Sequence, residues 1–259
     1  MTGPGIWFRR YRGAVAPRVR LVCFPHAGGN ARLFHGWAPR LPADVELLAV
    51  RYPGRQERMD EPCVETMDEM AGRVSEALDP ERDLPLVLFG HSMGAAVAYE
   101  VAVRLEGPAA EGPGPALLLL SGRSAPHRGR STALHRAADD VLVAGVTRLG
   151  TLGGDAYAVP ELRELLLPVL RADYRLIETY DRQTPPVLRA PVVAYLGDRD
   201  PGVTRPGIEA WSELTEGEFM VRSFPGDHFY LAPREAELTA DIAQRLARLP
   251  VAGHAQRVL

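Results

Sequence analysis

The chain has 259 residues, a formal net charge of −3 at pH 7 and 46 % hydrophobic residues, enough for a large core within one domain. Because there is no basic excess to displace counterions from phosphates, this charge balance argues against nucleic-acid binding. All 30 basic residues are arginine, which excludes Schiff-base and phosphate-loop lysine chemistry.

Short apolar runs alternate with amphipathic segments, a pattern typical of a mostly parallel sheet with helices on both faces. It predicts a single α/β domain over residues 1–259. The predicted strands are Arg18–Phe24, Val45–Val50, Leu86–Phe89, Ala116–Ser121, Val192–Leu196 and Glu218–Phe224. The predicted helices are Leu33–Leu41, Thr66–Leu78, Gly94–Leu105, Arg205–Leu214 and Arg234–Leu249.

The alternation stops between about residues 124 and 184, where no strand is predicted. Apolar residues recur there at helical spacing, and Pro168 is expected to kink or divide the helix. We interpret this segment, called the insertion below, as a helical lid over the carboxyl edge of the sheet. The alternative is an ordinary pair of covering helices, but the segment is long for a simple crossover.

A candidate nucleophile follows the third predicted strand. Gly90-His91-Ser92-Met93-Gly94 lies between an apolar strand and a helical segment, the context in which G-x-S-x-G forms a nucleophile elbow. Side chains at the glycine positions would collide with the neighbouring strand and helix. The pattern therefore predicts Ser92 as the nucleophile of a serine hydrolase.

The general base should follow the last strand, since α/β folds with a nucleophile elbow place their triad in the chain order serine, acid, histidine. His228 directly follows a strand, whereas His254 lies in the polar tail, so we assign the base to His228. Two aspartates compete for the acid, Asp198 and Asp200. We prefer Asp200 because G-x-x-D-P is the usual acid-bearing turn, and we interpret Asp227 as a turn residue.

The oxyanion hole is assigned to two backbone amides. In this fold one N–H follows the nucleophile, and the other comes from a glycine-bearing loop after an early strand. Met93 and Ala27, the latter in His26-Ala27-Gly28-Gly29, occupy these positions. The alternative for this loop is a simple turn. His26 and His91 resemble candidate bases, but we expect the His91 side chain to point away from the Ser92 hydroxyl.

The cysteines and the hydropathy suggest a cellular setting. Cys23 and Cys63 show no metal-ligand spacing, so we expect reduced thiols, no metal and no organic cofactor. No apolar run approaches the roughly 18 residues that cross a bilayer, and the first residues do not resemble a signal peptide. We therefore expect a soluble, cytoplasmic protein, without membrane contact and monomeric.

Several motifs together resemble the external, type II thioesterases that accompany polyketide synthases and nonribosomal peptide synthetases. The resemblance extends to about Leu249 and departs from the family pattern at Asp227, where glycine is frequent. The motifs that carry it are Trp7–Tyr11, Cys23–Gly29, Tyr52–Arg55, Gly90–Gly94, Ser121–Pro126 and Pro225–Tyr230.

The resemblance implies an α/β-hydrolase fold with the triad Ser92, Asp200 and His228. It also implies an editing activity that removes acyl groups from the phosphopantetheine arm of carrier proteins. Carrier proteins are usually acidic, so arginines near the entrance are candidates for attracting them, although for any one of them solvated surface charge is the preferred interpretation. These arginines are Arg55, Arg58, Arg123, Arg128 and Arg130.

Three other functions remain open from the sequence. A generic carboxylesterase or lipase would use the same triad on oxygen esters. A chain-releasing acyl-carrier thioesterase would prefer one acyl length, and a non-enzymatic binding module would not need the triad at all.

Overall fold

The structure is a computed structural model, which describes residues 4–12, 16–108, 110, 112–129, 132–150 and 154–250. Within these residues seven strands form one sheet in the order β1-β3-β2-β4-β5-β6-β7. The strands are β1 (Phe8–Arg12), β2 (Val19–Phe24), β3 (Val45–Val50), β4 (Leu86–His91), β5 (Leu117–Ser121), β6 (Val192–Gly197) and β7 (Phe219–Phe224).

The sheet is parallel except at one edge. Strands β2 to β7 all run in the same direction, and β1 pairs antiparallel with β3. Every residue of β2 to β6 is buried, as expected for strands covered on both faces. Because parallel strands end at a common edge, the loops after β2, β4, β6 and β7 meet there.

Helices cover the two faces of the sheet. The α-helices are α1 (Met67–Leu78), α2 (Met93–Glu106), α3 (Asp139–Thr147), α4 (Pro160–Glu178), α5 (Arg205–Glu209) and α6 (Glu235–Arg248). The helix predicted over Leu33–Leu41 is a 3₁₀ helix, Ala31–Arg40. The helix predicted over Arg205–Leu214 is α5 followed by a 3₁₀ turn, Ala210–Leu214.

Alternate residues of each central strand pack into two separate hydrophobic clusters, one on each face of the sheet. Val22 and Leu48 belong to the cluster that includes α1 and α2, while Leu21 and Leu47 belong to the cluster that includes α6. Each such side chain contributes about 1.5–3 kcal/mol when fully buried. Packing on both faces makes the sheet rigid and leaves its carboxyl edge available for a functional site.

The insertion between β5 and β6 contains α3 and α4, and its described residues include no strand. Leu142, Leu167 and Leu170 pack within the insertion, while Leu176 and Ile177 of α4 join the core cluster beside α2. Pro168 does not divide the helix, since α4 continues through it, and the kink stays a prediction. Among the described residues, no helix has the length and apolarity needed to cross a bilayer.

Candidate active site

Ser92 occupies a sharp turn between β4 and α2. Its φ of +56° is one that L-residues with side chains rarely adopt, so the turn is strained. The two flanking glycines are required by close backbone contacts. A Cβ on Gly90 would lie 2.2 Å from the carbonyl oxygen of Gly94, and one on Gly94 would lie 2.1 Å from that of Phe24. The Ser92 N–H donates to the carbonyl of Ser121 at 2.8 Å, which ties the elbow to β5.

The structure brings His228 and Asp200 together from the loops after β7 and β6. The His228 Nδ1 lies 2.7 Å from the Asp200 Oδ2, and both side chains are buried. The other carboxylate oxygen, Oδ1, accepts the Gly202 N–H at 2.7 Å. Because a carboxylate only accepts, Nδ1 carries the proton, and Nε2 is left with a lone pair in the neutral ring. Asp200 thus fixes the tautomer that a general base needs.

The His228 ring lies beside the elbow. Its centroid is 4.9 Å from that of His91, the residue directly before Ser92. A Cβ on Gly122 would lie 3.3 Å from the His228 Cε1, so the missing side chain makes room for the ring. The Nε2 atom is buried and has no hydrogen-bond partner among the described residues, Ser92 included. In enzymes without bound substrate such contacts are often long, so the transfer from Ser92 to His228 remains a prediction.

The loop after β2 forms a tight turn next to the elbow. The Gly29 N–H donates to the His26 carbonyl at 2.9 Å, and Gly28 has a φ of +73°. These are the features of a type II turn with glycine at its third position, and they place Ala27 at the second. Met93 is the first residue of α2, so its N–H is among those that a helix leaves without an intrahelical partner. The oxyanion-hole roles of Ala27 and Met93 remain predictions.

Two further histidines lie beside His228 without contacting Asp200. The His91 Nδ1 is 2.8 Å from the Ser121 hydroxyl, which in turn is 2.6 Å from the Tyr230 hydroxyl. Burial, with a smaller effect from the neighbouring His228, lowers the pKa of His26 to about 3 and also lowers that of His91. Both rings are therefore neutral near pH 7, and neither has the carboxylate partner that orients a catalytic base.

The remaining candidates from the sequence have structural roles or lie elsewhere. The Asp198 Oδ1 accepts the Gly226 N–H at 2.9 Å, and the Asp227 Oδ1 accepts the Phe229 N–H at 2.8 Å. Asp227 is thus the turn residue that the sequence predicted, and Asp198 does not contact His228. His254 and Arg130 lie outside the described residues.

Arg55 and Arg58 do not face solvent, so the expectation that they attract a carrier protein is wrong. Arg55 forms a bidentate ion pair with Asp173 of α4, with both N···O distances at 2.7 Å. Arg58 pairs with Glu61 at 2.6 Å, and its guanidinium lies over the Trp7 ring. Arg128 is exposed but lies 3.5 Å from Glu213. The buried charges of Arg55 and Arg58 need such partners.

Sequence reasoning missed the role of Asp173. Its carboxylate is completely buried, and its Oδ2 also accepts the Gly28 N–H at 2.7 Å. A signal was present, since Asp173 follows Val169 and Leu170 by four and three residues and so shares the apolar face of α4. An acidic residue on a buried helix face needs a partner.

The family of the chain follows from its match to a protein-family model. A model of the family described as the thioesterase domain matches residues 19–246. The chain belongs to this thioesterase family. The match extends from β2 to α6, and so covers the elbow, the His228–Asp200 pair and the insertion.

Individual relatives agree with this assignment. The thioesterase is 41 % identical over 240 residues to the probable cadicidin biosynthesis thioesterase of Streptomyces griseus, covering 93 % of this chain and 66 % of that protein. It resembles the structure of BorB, a type II thioesterase from the borrelidin biosynthetic cluster, with a TM-score of 0.85 and 39 % identity over 95 % of this chain and 100 % of that one. For YbtT, a type II thioesterase from the yersiniabactin NRPS/PKS pathway, the TM-score is 0.82 at 29 % identity, over 92 % and 97 % of the two chains. The predicted family resemblance and the α/β-hydrolase fold of this thioesterase are confirmed.

Proposed function

We propose that the chain is a type II thioesterase that hydrolyses aberrant or short acyl groups from the phosphopantetheine thioester of carrier proteins in polyketide or nonribosomal peptide biosynthesis. The observation that carries the proposal is the buried His228–Asp200 pair beside the Ser92 elbow, in a chain of the thioesterase family. The relatives named above, which serve such pathways, supply the substrate class.

The reaction would proceed through an acyl-enzyme. The His228 Nε2 takes the proton of the Ser92 hydroxyl as its oxygen attacks the thioester carbonyl, and the Ala27 and Met93 amides stabilise the oxyanion. The thiolate leaves with the proton from His228. Water, deprotonated by the same nitrogen, then attacks the acyl-serine, and His228 returns the proton to the Ser92 oxygen as the acid is released. Because a thiolate leaves readily, modest activation of Ser92 suffices.

The insertion is proposed to act as a lid in a single domain, with the acyl group bound beneath it. Two contacts support this position. A Cβ on Gly28, in the turn next to the elbow, would lie 3.0 Å from Leu170 of α4 and 3.3 Å from the Tyr157 hydroxyl. These residues of the insertion lie next to the predicted oxyanion turn, where a lid would exclude water from the reacting carbonyl.

We further propose that the enzyme is cytoplasmic and monomeric and needs no cofactor. Cys23 and Cys63 are both free thiols, in agreement with a reducing compartment. The proposed chemistry needs only the side chains and amides described above, and the natural partners would be acyl or peptidyl carrier proteins.

The test is release of short acyl groups from a loaded carrier protein. Wild type should release them, and Ser92→Ala should reduce the rate by several orders of magnitude, since it removes the nucleophile. Ser75→Ala, the same substitution in α1, is the control and should leave the rate unchanged. Undiminished release by Ser92→Ala would refute the mechanism.

Two substrate panels separate the alternatives. Faster hydrolysis of matched oxygen esters than of carrier thioesters would favour a general esterase. A sharp preference for one acyl length would favour a chain-releasing thioesterase. Failure of a fluorophosphonate probe to label Ser92 would favour a binding module without activity.

A further inference from the structure

We propose that Asp173 of α4 is a positioning residue that holds the oxyanion turn in its working conformation. The inference rests on the proposed function, because it concerns the turn that supplies the Ala27 amide. It assigns a task in catalysis to the insertion besides covering the substrate.

The Asp173 carboxylate is bonded on both oxygens to groups that frame this turn. Its Oδ2 accepts the Gly28 N–H and one Arg55 nitrogen, each at 2.7 Å, and its Oδ1 accepts the other Arg55 nitrogen at 2.7 Å. Arg55 also donates to the Gly29 carbonyl at 2.9 Å. The Asp173 carboxylate therefore accepts the N–H of Gly28, and the Arg55 guanidinium donates to the carbonyl of Gly29, the next residue in the turn.

The bond to Gly28 decides which turn forms. Type I and type II turns differ by a rotation of the peptide between their second and third residues, here Ala27 and Gly28. The φ of +73° at Gly28 is the type II value, and the N–H of that peptide points at Asp173. Rotation to type I would turn this N–H away from the carboxylate and leave a buried charge with one donor fewer, which is unfavourable. Asp173 therefore selects the type II form. The Ala27 N–H belongs to the preceding peptide, whose His26 carbonyl accepts the Gly29 N–H, so Asp173 acts on the Ala27 amide through the bond that closes the turn.

The Arg55–Asp173 ion pair is shielded from solvent, so water does not compete for its hydrogen bonds. Asp173 is 0 % exposed, and Arg55 is 9 % exposed. Burial alone would lower the pKa of Arg55, but the adjacent carboxylate of Asp173 outweighs it and raises this pKa. Arg55 therefore stays charged, and its charge-assisted bonds to Asp173 and to the Gly29 carbonyl are strong.

Asp173→Asn is the test, because the amide keeps the size of the carboxylate but offers only one acceptor to three N–H donors. The substrate is a short acyl thioester of N-acetylcysteamine, which needs no carrier protein. We expect kcat to fall about 10- to 100-fold, part of the loss that removing a whole oxyanion donor causes, with KM changed less than about threefold.

Two inhibitors distinguish positioning from a general structural role. A trifluoromethyl ketone forms a tetrahedral adduct with Ser92 and should lose affinity by the same factor as kcat. A matched unreactive amide, which mimics the ground state, should bind as before. The control is Asp140→Asn, which breaks the exposed ion pair between Asp140 and Arg163 in the same insertion and should change neither value.

Arg55→Lys is the second test variant if Asp173→Asn does not fold. It preserves the positive charge and the bond between Asp173 and the Gly28 N–H, but it removes the bidentate pair with Asp173. It should show the same pattern with a smaller loss. Unchanged kcat in a folded variant, or equal weakening of both inhibitors, would overturn the inference. A wild-type enzyme that hydrolyses no thioester would instead refute the proposed function, so the two failures are distinguishable.

Discussion

Replacing Asp200 by asparagine should inactivate the enzyme through the tautomer of His228. In the wild type both carboxylate oxygens accept N–H groups, one from the His228 Nδ1 and one from the Gly202 backbone, each at 2.7 Å. The backbone N–H of Gly202 can only donate, so the asparagine oxygen turns towards it. The amide NH₂ then faces His228, whose Nδ1 must become the acceptor.

The consequence is a ring with its proton on Nε2, the atom that should receive the proton of Ser92. Loss of the correct tautomer in a triad lowers kcat about 10⁴-fold, which corresponds to about 5 kcal/mol in activation free energy. The geometry of the site should hardly change, because the amide and the carboxylate have nearly the same shape. Thermal unfolding should therefore show a stable, folded variant.

The assay is steady-state hydrolysis of an acyl thioester, with Asp198→Asn as the matched control. Asp198 is the other aspartate of the same loop. Among the described residues its Oδ1 accepts only the Gly226 N–H, which the asparagine oxygen still accepts. We expect kcat of this control to stay within a few-fold of wild type. Activity of Asp200→Asn within tenfold of wild type, or a comparable loss in Asp198→Asn, would refute the assignment.

Two more predictions concern stability. Gly94→Ala should lower the free energy of unfolding by about 1–3 kcal/mol in a urea titration, because its Cβ would lie 2.1 Å from the Phe24 carbonyl; Gly72→Ala, with nothing within 4 Å, should be neutral or stabilising. Since the pKa of His26 is lowered from 6.5 to about 3, the folded state binds fewer protons than the unfolded chain between these values, and stability falls as the pH drops below about 6.5. At about pH 5 this destabilisation reaches about 2 kcal/mol, so wild type should lose more stability between pH 7 and 5 than His26→Asn, and equal losses would contradict the partly buried, neutral ring.

The central strands could be predicted because their residues are apolar on both faces. The prediction for Val45–Val50 is identical to β3, and those for the other parallel strands differ only at their ends. The antiparallel strand β1 was missed, since Phe8–Arg12 carries three arginines and lacks a continuous apolar run. Its position at the edge of the sheet explains this composition, because edge strands are covered only in part.

The pairing of Asp200 with His228 could be predicted because strand order and turn chemistry restrict where a triad is placed. The pairing of Arg55 with Asp173 could not, because 118 residues separate the two and no fold rule joins them. The hydrophobic spacing could not predict that Ala31–Arg40 is a 3₁₀ helix. Such spacing indicates an amphipathic helix but does not determine its pitch. Local periodicity thus predicts the elements, while tertiary contacts decide their finer geometry.

The positive φ of Ser92 means that catalysis and stability make opposite demands on one residue. A backbone held at φ +56° and ψ −116° suits glycine, which has no Cβ to collide with its own peptide groups. Every other residue type there carries a penalty of about 1–3 kcal/mol, which the surrounding sheet and α2 must offset. Stability alone would therefore favour a third glycine between Gly90 and Gly94, and the strain at Ser92 is a cost that the proposed nucleophilic role would explain.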